Sequence, residues 1–400
     1  MRLTYKYRLS PTKQQRASLQ NSLDACRWVY NKALETRKVA WEERQEGVSR
    51  YDTVKMLPTW KAEHAFLNTA YSQCLQDPCT RLDLAFRSFF RRVKSGDVPG
   101  YPRFRSANRY DSFTYTQSGF KLLDNRRLRL SKIGDVKIKL HRPIVGETKT
   151  LTIQRDSLGN WYACFSCILI PKPLPPTDKV VGIDLGLTTF GYLSNGNKIE
   201  RQRWMQQDAK DIARLQRKKE RFVKGSSERK KVIRAIQHAY QRQTNRRVNF
   251  AHQESRKLIN EYQFIAFEKL DIQGMQETGH KTTNRGIADV AWGRFVQFSQ
   301  YKAEDAGRTV VLVNPRGTTQ ECSGCGEIVP KGLHVRVHNC THCGLVLSRD
   351  HNAALNILAR GLASISTGKP DVAVEALDFV SREWSFQPMT HCLHHEKTQL

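Results

Sequence analysis

Apolar and polar residues alternate at the start of the chain and then recur at a helical period. The alternation covers residues 2–9 and predicts a strand, because successive side chains of a strand point to opposite faces. Ser10 and Pro11 suit the N-cap and the first position of a helix. Apolar residues then repeat at helical spacing over residues 19–34 and 52–95. The N-terminal part is therefore predicted to be a strand followed by helices.

Strand patterning returns after the glycines and prolines of segment 96–102. The clearest predicted strands cover residues 113–116, 127–130, 136–140 and 161–170, and turn signals separate them. They predict a small antiparallel barrel, which the N-terminal strand could join. Four prolines between residues 171 and 176 indicate a stiff linker and a domain boundary.

From residue 180 onward, strands alternate with helices. The predicted elements are a buried strand at 180–187, a strand at 189–193 followed by the hairpin signal Asn195-Gly196, long helices over 202–260, a strand at 262–268, a helix at 292–306, a strand at 309–313 and a helix at 350–360 ended by Gly361. This order is typical of an α/β RNase H-like fold. In that fold Asp184 and Glu268 lie on neighbouring strands, and the last helix brings Asp350 beside them.

Three carboxylates in such a cluster indicate a metal-dependent nuclease. Mg²⁺ and Mn²⁺ prefer oxygen ligands, and two such ions can activate a water molecule and stabilise the leaving oxygen of a phosphodiester. Each acid also has an ordinary explanation. Asp184 could accept hydrogen bonds from loop amides, Glu268 could be solvated, and Asp350 could cap its helix. Their joint order is more specific than any one of them.

Charge favours a nucleic-acid partner. With 66 Lys and Arg against 38 Asp and Glu, the 400-residue chain has a formal net charge of +28, and such a chain repels itself unless it meets a polyanion. A merely basic, ribosomal-type protein is the alternative. No run of about 18 apolar residues occurs, and the first residues lack the apolar stretch of a signal peptide. We therefore expect no membrane partner and a reducing, cytoplasmic environment.

Four cysteines form two Cys-x-x-Cys pairs, each followed by a glycine. They are Cys322, Cys325, Cys340 and Cys343. Four thiolates at this spacing predict a structural zinc ribbon with a tetrahedral Zn²⁺ site, although His338 and His342 lie close enough to substitute as ligands. Five further cysteines fall on predicted helices and strands and are expected to be small buried hydrophobes. These are Cys26, Cys74, Cys79, Cys164 and Cys167.

Basic residues are dense in the long helices after residue 202, and few acids balance them. The candidates for nucleic-acid contact there are Arg217, Lys218, Lys219, Arg246 and Arg247. They predict a surface that follows phosphates, with a solvated helical face held by ion pairs as the alternative. Residues 365–400 lack periodicity and are predicted to be a flexible tail. Their His391-Cys392-Leu393-His394-His395 run could instead be a second metal site.

Taken together, these motifs resemble TnpB, the OrfB-type protein of insertion sequences and a relative of the type V CRISPR nucleases. The resemblance extends from Tyr5 to about Ala359. The motifs that carry it are Tyr5–Pro11, Gly182–Gly186, Phe267–Leu270, Ala291–Phe295, Thr319–Cys322 with the ribbon, and Arg349–Ala354.

The resemblance implies a domain organisation. The expected parts are a wedge-type β-barrel over 1–10 and 101–172, a helical recognition insert over 11–100, a RuvC-like nuclease domain over 178–317 and 347–364, an inserted zinc ribbon over 318–346, and a flexible tail over 365–400. The family's catalytic triad would fall on Asp184, Glu268 and Asp350, all of which are acids here.

The resemblance also implies an activity, that of an RNA-guided DNA endonuclease. A guide RNA from the transposon end would select double-stranded DNA by base pairing, and the protein would read a short target-adjacent motif. Tyr51, Gln76 and Thr116 are the candidates for that contact, with ordinary surface polar residues as the alternative. Pro78 is expected to interrupt the helix around Gln76.

Two other functions stay open at this stage. A guided repressor would bind DNA without cutting it, although the intact triad argues against that function. A strand-transfer transposase would join transposon ends without RNA.

Overall fold

A computed structural model describes residues 1–124, 126–332 and 334–366. Of the predicted tail over 365–400, residues 365 and 366 are helical, and the rest, with the His391–His395 run, lies outside the described residues. Two structural units are distinguished. The first comprises Met1–Pro175, Gln202–Arg256 and Tyr301–Arg308, and the second comprises Pro176–Arg201, Lys257–Gln300 and the described residues from Thr309 onward.

One strand, a group of helices and a group of strands form the first half of the chain, and strands and helices are mixed in the second half. Up to residue 168 they are β1 (Arg2–Ser10), α1 (Lys13–Arg44), α2 (Arg50–Lys55), α3 (Leu57–Glu63), a 3₁₀ turn (Ala65–Thr69), α4 (Ser72–Ser95), a 3₁₀ turn (Ala107–Arg109), β2 (Ser112–Tyr115), β3 (Phe120–Leu123), β4 (Arg127–Leu130), β5 (Gly134–Lys139), β6 (Glu147–Arg155) and β7 (Trp161–Ile168). From residue 180 they are β8 (Val180–Leu185), β9 (Gly191–Leu193), β10 (Lys198–Ile199), α5 (Trp204–Glu220), α6 (Ser227–Glu261), β11 (Phe264–Glu268), α7 (Ile272–Thr278), α8 (Lys281–Val290), α9 (Trp292–Ala306), β12 (Thr309–Val313), β13 (Val337–Asn339), β14 (Val346–Ser348) and α10 (Arg349–Ser366).

The first unit contains a seven-stranded sheet with the order β2-β6-β7-β1-β5-β4-β3. All its pairings are antiparallel, and β1 pairs with both β5 and β7. The predicted antiparallel strands and the joining of the N-terminal strand are therefore confirmed. Closure into a barrel stays a prediction. Alternate residues such as Tyr7, Leu128 and Phe165 are buried in one core with residues of α1 and α4.

The predicted start of the first helix is wrong by two residues. Thr12 is the N-cap of α1 in place of Ser10. The Thr12 hydroxyl accepts a hydrogen bond from the Gln15 backbone N–H (3.2 Å), and the Gln15 side chain accepts one from the Thr12 N–H (3.0 Å). This reciprocal capping box satisfies two donors at once, which Ser10 does not do at its position.

Helix α4 continues through Pro78, although the sequence predicts an interruption there. Proline lacks the N–H that would donate to the carbonyl four residues earlier, which is that of Cys74. The Cys26 thiol of α1 donates to this carbonyl at 3.2 Å. The neighbouring helix thus satisfies the acceptor that the proline leaves open.

The second unit contains a five-stranded sheet with the order β10-β9-β8-β11-β12. Strands β8, β11 and β12 are parallel, and β9 pairs antiparallel with both β8 and β10. This mixed α/β sheet agrees with the predicted strand order. Its central strand β11 is buried along its whole length, as expected for a parallel strand covered on both faces.

The last helix does not end at Gly361 as predicted, because α10 extends to Ser366. A Cβ at Gly361 would lie 2.7 Å from the Ala266 Cβ and 3.2 Å from the Phe264 ring. The glycine therefore allows close approach of α10 to β11 and is not a helix terminator. Within the portion of the chain that the structure describes, no helix has the length and apolar character needed to cross a bilayer.

Candidate active site and cysteine cluster

Asp184 and Glu268 lie side by side at the carboxyl ends of two parallel strands. Ile183 of β8 is in register with Phe267 of β11, so the next residue on each strand is one of the two acids. Glycines flank this stretch of β8 at positions 182 and 186. The carboxyl edge of a parallel sheet is where α/β proteins place their functional groups.

Helix α10 brings Asp350 to the same edge. Gly182 packs against the backbone of α10, since a Cβ there would lie 2.5 Å from the Leu358 nitrogen. Later in the helix, Gly361 packs against the start of β11. The helix therefore passes antiparallel to the strands, and its first turn, which holds Asp350, lies at their carboxyl ends.

The electrostatics agree with this arrangement. The pKa of Asp184 is raised from its ordinary 3.8 to about 8. Burial is the largest cause, the nearby carboxylates of Glu268 and Asp350 act in the same direction, and Arg349 opposes them. Both other carboxylates therefore lie close enough to Asp184 to disfavour its negative charge.

Glu268 is 8% exposed, and burial raises its pKa. The Thr318 hydroxyl donates to its carboxylate, and this hydrogen bond, with the positive charge of Arg360, acts in the opposite direction. Thr318 thus holds one oxygen of Glu268 in place. Arg349 lies 3.4 Å from the Asp350 carboxylate through its Nε, so Asp350 also has an adjacent cation.

The four cysteines form a compact cluster. The Sγ atoms of Cys322 and Cys343 are 3.6 Å apart, as are those of Cys325 and Cys340, and all four lie within 4.8 Å of one another. Tetrahedral Zn–S bonds of about 2.3 Å require sulfur separations of about 3.8 Å. The donor set therefore fits a zinc ion. The carboxylate triad is not a comparably close ligand group among the residues that the structure describes.

Each cysteine pair is shaped by a short knuckle turn. The Gly326 N–H donates to the Cys322 carbonyl at 2.9 Å, and the Gly344 N–H donates to that of Cys340 at 2.8 Å. Both glycines have positive φ, 78° and 75°, a conformation that side chains with a Cβ disfavour. The predicted knuckles are confirmed.

The two histidines proposed as substitute ligands are not members of the sulfur cluster. His338 is fully buried, and its Nδ1 contacts the Lys331 ammonium. His342 is exposed. Four thiols suffice for the cluster.

Three side chains of α10 that sequence reasoning missed hold the base of the ribbon. Asn352 and Asn356 each donate to the Glu321 carbonyl at 2.7 Å, and Arg360 donates to the Glu321 carboxylate at 2.6 Å. These polar residues recur every four positions on a helix whose other face is apolar. That spacing was a signal available in the sequence.

The predicted contacts to a target-adjacent motif lie on three different elements of the first unit. Tyr51 is on α2 and is 67% exposed. Gln76 is exposed on α4, and Thr116 is half-buried directly after β2. Exposure of Tyr51 and Gln76 is compatible with either a DNA contact or an ordinary surface, so their role stays a prediction.

The basic residues of α5 and α6 divide into two kinds. Arg217 and Lys218 are exposed. Lys219 pairs with Glu220 at 2.8 Å, and Arg246 lies 3.4 Å from Asp208. Arg247 is half-buried. Lys219 and Arg246 therefore have carboxylate partners within the protein, which is the alternative that the sequence left open.

Comparison with known proteins relates this chain to nucleases. Family models match as a helix-turn-helix domain over residues 1–46, a probable transposase over residues 154–279 and a Cas12f1-like TNB domain over residues 292–357. A putative RNA-guided DNA endonuclease of Streptomyces pristinaespiralis is 36% identical and is aligned over 91% of this chain and 90% of its own. The putative RNA-guided DNA endonuclease InsQ of Escherichia coli K12 is 30% identical over 91% of this chain and 94% of its own.

This chain belongs to the TnpB family. The Cas12f1-like match includes α9, the whole cysteine cluster and the first half of α10 with Asp350. These two relatives are more similar to this chain in sequence than the solved structures are. The mini RNA-guided endonuclease CRISPR-Cas_phi3 covers 90% of this chain and 92% of its own at 10% identity, with a TM-score of 0.46. Membership in the TnpB family therefore rests on the sequence relatives.

Proposed function

We propose that this TnpB-family protein is an RNA-guided DNA endonuclease associated with an insertion sequence. It cleaves DNA beside a short target-adjacent motif by metal-dependent hydrolysis. The proposal is supported most by the positions of Asp184 and Glu268 on neighbouring strands of the five-stranded sheet, where the carboxylates of Glu268 and Asp350 both raise the pKa of Asp184.

The three carboxylates fit Mg²⁺ or Mn²⁺ by their chemistry. They are hard oxygen donors, and a buried carboxylate beside two others gains most from a nearby cation. When bound, the metal supplies activation of water and neutralisation of the charge that develops on phosphate. Asp184, Glu268 and Asp350 would be its ligands.

The protein's own groups prepare that site. Thr318 orients Glu268 through its hydroxyl. The guanidinium of Arg349 lies against Asp350 and gives the edge of the site a positive charge toward which a phosphate is attracted. Burial of Glu268 limits the water that competes for its oxygens.

A structural Zn²⁺ ion bound by the four cysteines completes the nuclease unit. The ribbon's base is joined to α10 through Glu321, and Asp350 is in the first turn of that helix. Zinc at the cluster would therefore stabilise the helix end that carries a catalytic residue.

The proposed partners are a guide RNA from the transposon end and double-stranded target DNA. Tyr51, Gln76 and Thr116 are proposed to contact the target-adjacent motif. Arg217 and Lys218 are the stronger phosphate candidates among the basic helix residues, because both are exposed and exposed cations can exchange counterions for phosphate.

Cleavage by an Asp184→Ala variant tests the catalytic assignment. Protein co-expressed with RNA from its own transposon end would be incubated with plasmid target and Mg²⁺. We expect about a 10³-fold slower cut, since several kcal/mol of transition-state stabilisation is lost, with RNA and target binding retained. Asp178→Ala removes an exposed acid just before the same strand and should cut normally.

Other outcomes would favour the remaining functions. Equal cutting by Asp184→Ala and wild type would refute the assigned site. Guided binding by the wild type without any cutting would favour a repressor. Joining of transposon ends by RNase-treated protein would favour a strand-transfer transposase.

A further inference from the structure

An exposed group of aromatic rings lies at the C-terminal end of α4 and on the loop after it. We call it the aromatic–arginine surface, defined by Phe86, Phe89, Phe90, Tyr101 and Phe104 with the basic residues between them. Phe90 is 61% exposed, Tyr101 46% and Phe104 54%. Large apolar side chains in such numbers at one place on a soluble protein usually mark a binding surface.

Phe86, Phe89, Phe90 and Tyr101 form a connected set of rings. Tyr101 contacts Phe86 and Phe89 edge to face, with ring centroids 5.6 and 5.5 Å apart. Phe90 lies 5.2 Å from Phe89 and is stacked on Phe86 at 6.3 Å. Such ring pairs hold one another's orientation. The exposed face of Phe90 is therefore presented by a supported side chain.

The surface is fixed to the helices below it. The guanidinium of Arg37 in α1 lies 5.3 Å from the centre of the Phe86 ring and pairs with Asp83 of α4 at 3.4 Å. On the loop, the side chain of Asn31 accepts from the Arg105 N–H at 2.7 Å and donates to its carbonyl at 3.0 Å. These contacts anchor both ends of the aromatic–arginine surface.

The charge of the same segment is strongly positive. Between residues 86 and 105 there are six Lys or Arg residues and one acid, Asp97. Arg91, Arg92 and Lys94 are all exposed. A second copy of this chain, itself carrying a net charge of +28, would be repelled from such a surface, whereas a polyanion would be attracted.

We propose that the aromatic–arginine surface binds unpaired nucleotides, with Phe90 stacking on a base and Arg91 and Arg92 contacting the flanking phosphates. Supported aromatic rings interleaved with exposed cations are the combination that single-stranded nucleic acid recognises. In duplex nucleic acid the bases are already stacked on one another, so an aromatic side chain gains little from them. The inference rests on the proposed guided-nuclease function, which brings both RNA and a displaced DNA strand to the protein.

Direct binding measurements test the stacking. Full-length protein freed of RNA would be titrated into fluorescein-labelled 20-nucleotide single-stranded DNA, single-stranded RNA and the matching DNA duplex. We expect Phe90→Ala to weaken single-strand binding about five- to a hundredfold and to leave duplex binding within about twofold. Phe90→Trp should restore affinity, and Phe90→Leu should not, because leucine keeps the apolar volume without the ring.

The salt dependence of binding distinguishes the contribution of the aromatic rings from that of the cations. Arg91→Gln should lower the slope of log affinity against log salt by about 0.7 on a single strand, whereas Phe90→Ala should leave that slope unchanged. Phe66→Ala is the matched control, because Phe66 is 44% exposed and ring-packed but lies among Trp28 and His64. It should bind as wild type.

The DNA and RNA arms identify the source of the unpaired nucleotides. A larger loss on either probe assigns the surface to the displaced strand or to the guide. Equal affinity of Phe90→Leu and wild type, or an equal loss on duplex, would overturn the proposal. So would a change of oligomeric state in Phe90→Ala by light scattering, which would assign the surface to a protein partner. None of these readouts uses cleavage, so each is distinguishable from failure of the nuclease function.

Discussion

The cysteine cluster and the carboxylate site belong to the same unit, but the chain assembles them over very different distances. The cysteines come from residues 322–343, and each pair is shaped by its own knuckle turn. The acids come from positions 184, 268 and 350 and reach one edge of the sheet only because two strands pair and one helix packs on them. The cysteine cluster can form from the backbone geometry of one short segment, whereas the carboxylate site can form only when the sheet and α10 have assembled.

Removing one thiol tests the cysteine cluster, which is the locally formed site, and should have the largest effect on stability. Structural zinc contributes about 10 kcal/mol or more to small isolated zinc domains. We expect Cys322→Ser to bind far less zinc than wild type and to lose thermal stability, measured by elemental analysis and calorimetry. Cys164→Ser changes a cysteine of β7 that is not one of the four in the cluster and should keep its zinc. Full zinc occupancy in Cys322→Ser would contradict the four-thiolate site.

The pH dependence of stability tests the carboxylate site. The fold raises the pKa of Asp184 from 3.8 to about 8, so the folded state favours the protonated acid. The stability that this preference contributes is present below about pH 4 and is lost as the pH rises toward 8. The difference between these two pKa values corresponds to a change of at most about 6 kcal/mol in the free energy of unfolding.

Asp184→Asn, which cannot ionise, isolates this effect. In metal-free buffer its denaturation midpoint should fall less between pH 4 and 8 than that of wild type. Mg²⁺ should reduce the difference by stabilising the ionised acid of the wild type. Parallel pH profiles for the two proteins would show that Asp184 is not buried beside the other acids.

A substitution between α10 and β8 tests whether the carboxylate site depends on their packing. A Cβ at Gly182 would lie 2.5 Å from the Leu358 nitrogen and 2.8 Å from its Cβ. Gly182→Ala should therefore cost about 1–3 kcal/mol and slow cleavage by displacing Asp350, while zinc stays bound. Gly47→Ala meets nothing within 4 Å and should be neutral. Normal cleavage by Gly182→Ala would show that the site tolerates movement of α10.

Much of the secondary structure followed from periodicity. The strand at 127–130, the helix at 292–306 and the strand at 309–313 have the predicted bounds, because each has a clear apolar pattern between turn residues. The errors arose where a residue had two possible uses. The sequence predicts a helix end at Gly361, which serves instead for close packing on β11. It also predicts an interruption at Pro78, where the Cys26 thiol satisfies the carbonyl that the proline leaves open.

The candidate site was also predictable in part, because periodicity shows where strands and helices begin and end. The acids are marked by their positions at strand and helix ends, so sequence reasoning could nominate them. Thr318 could not be nominated, since only tertiary structure brings its hydroxyl to Glu268. The pairing of Arg246 with Asp208 was likewise invisible, because the partners lie on separate helices.

By itself the sequence determined the cysteine knuckles, the strongly basic charge and the order of strands and helices, since these depend on neighbouring residues or on composition alone. Tertiary structure decided which of the acids share an electrostatic environment, which cations are already paired and which aromatic rings stay exposed. Those properties depend on distances between segments far apart along the chain, and the packing of the folded core sets these distances.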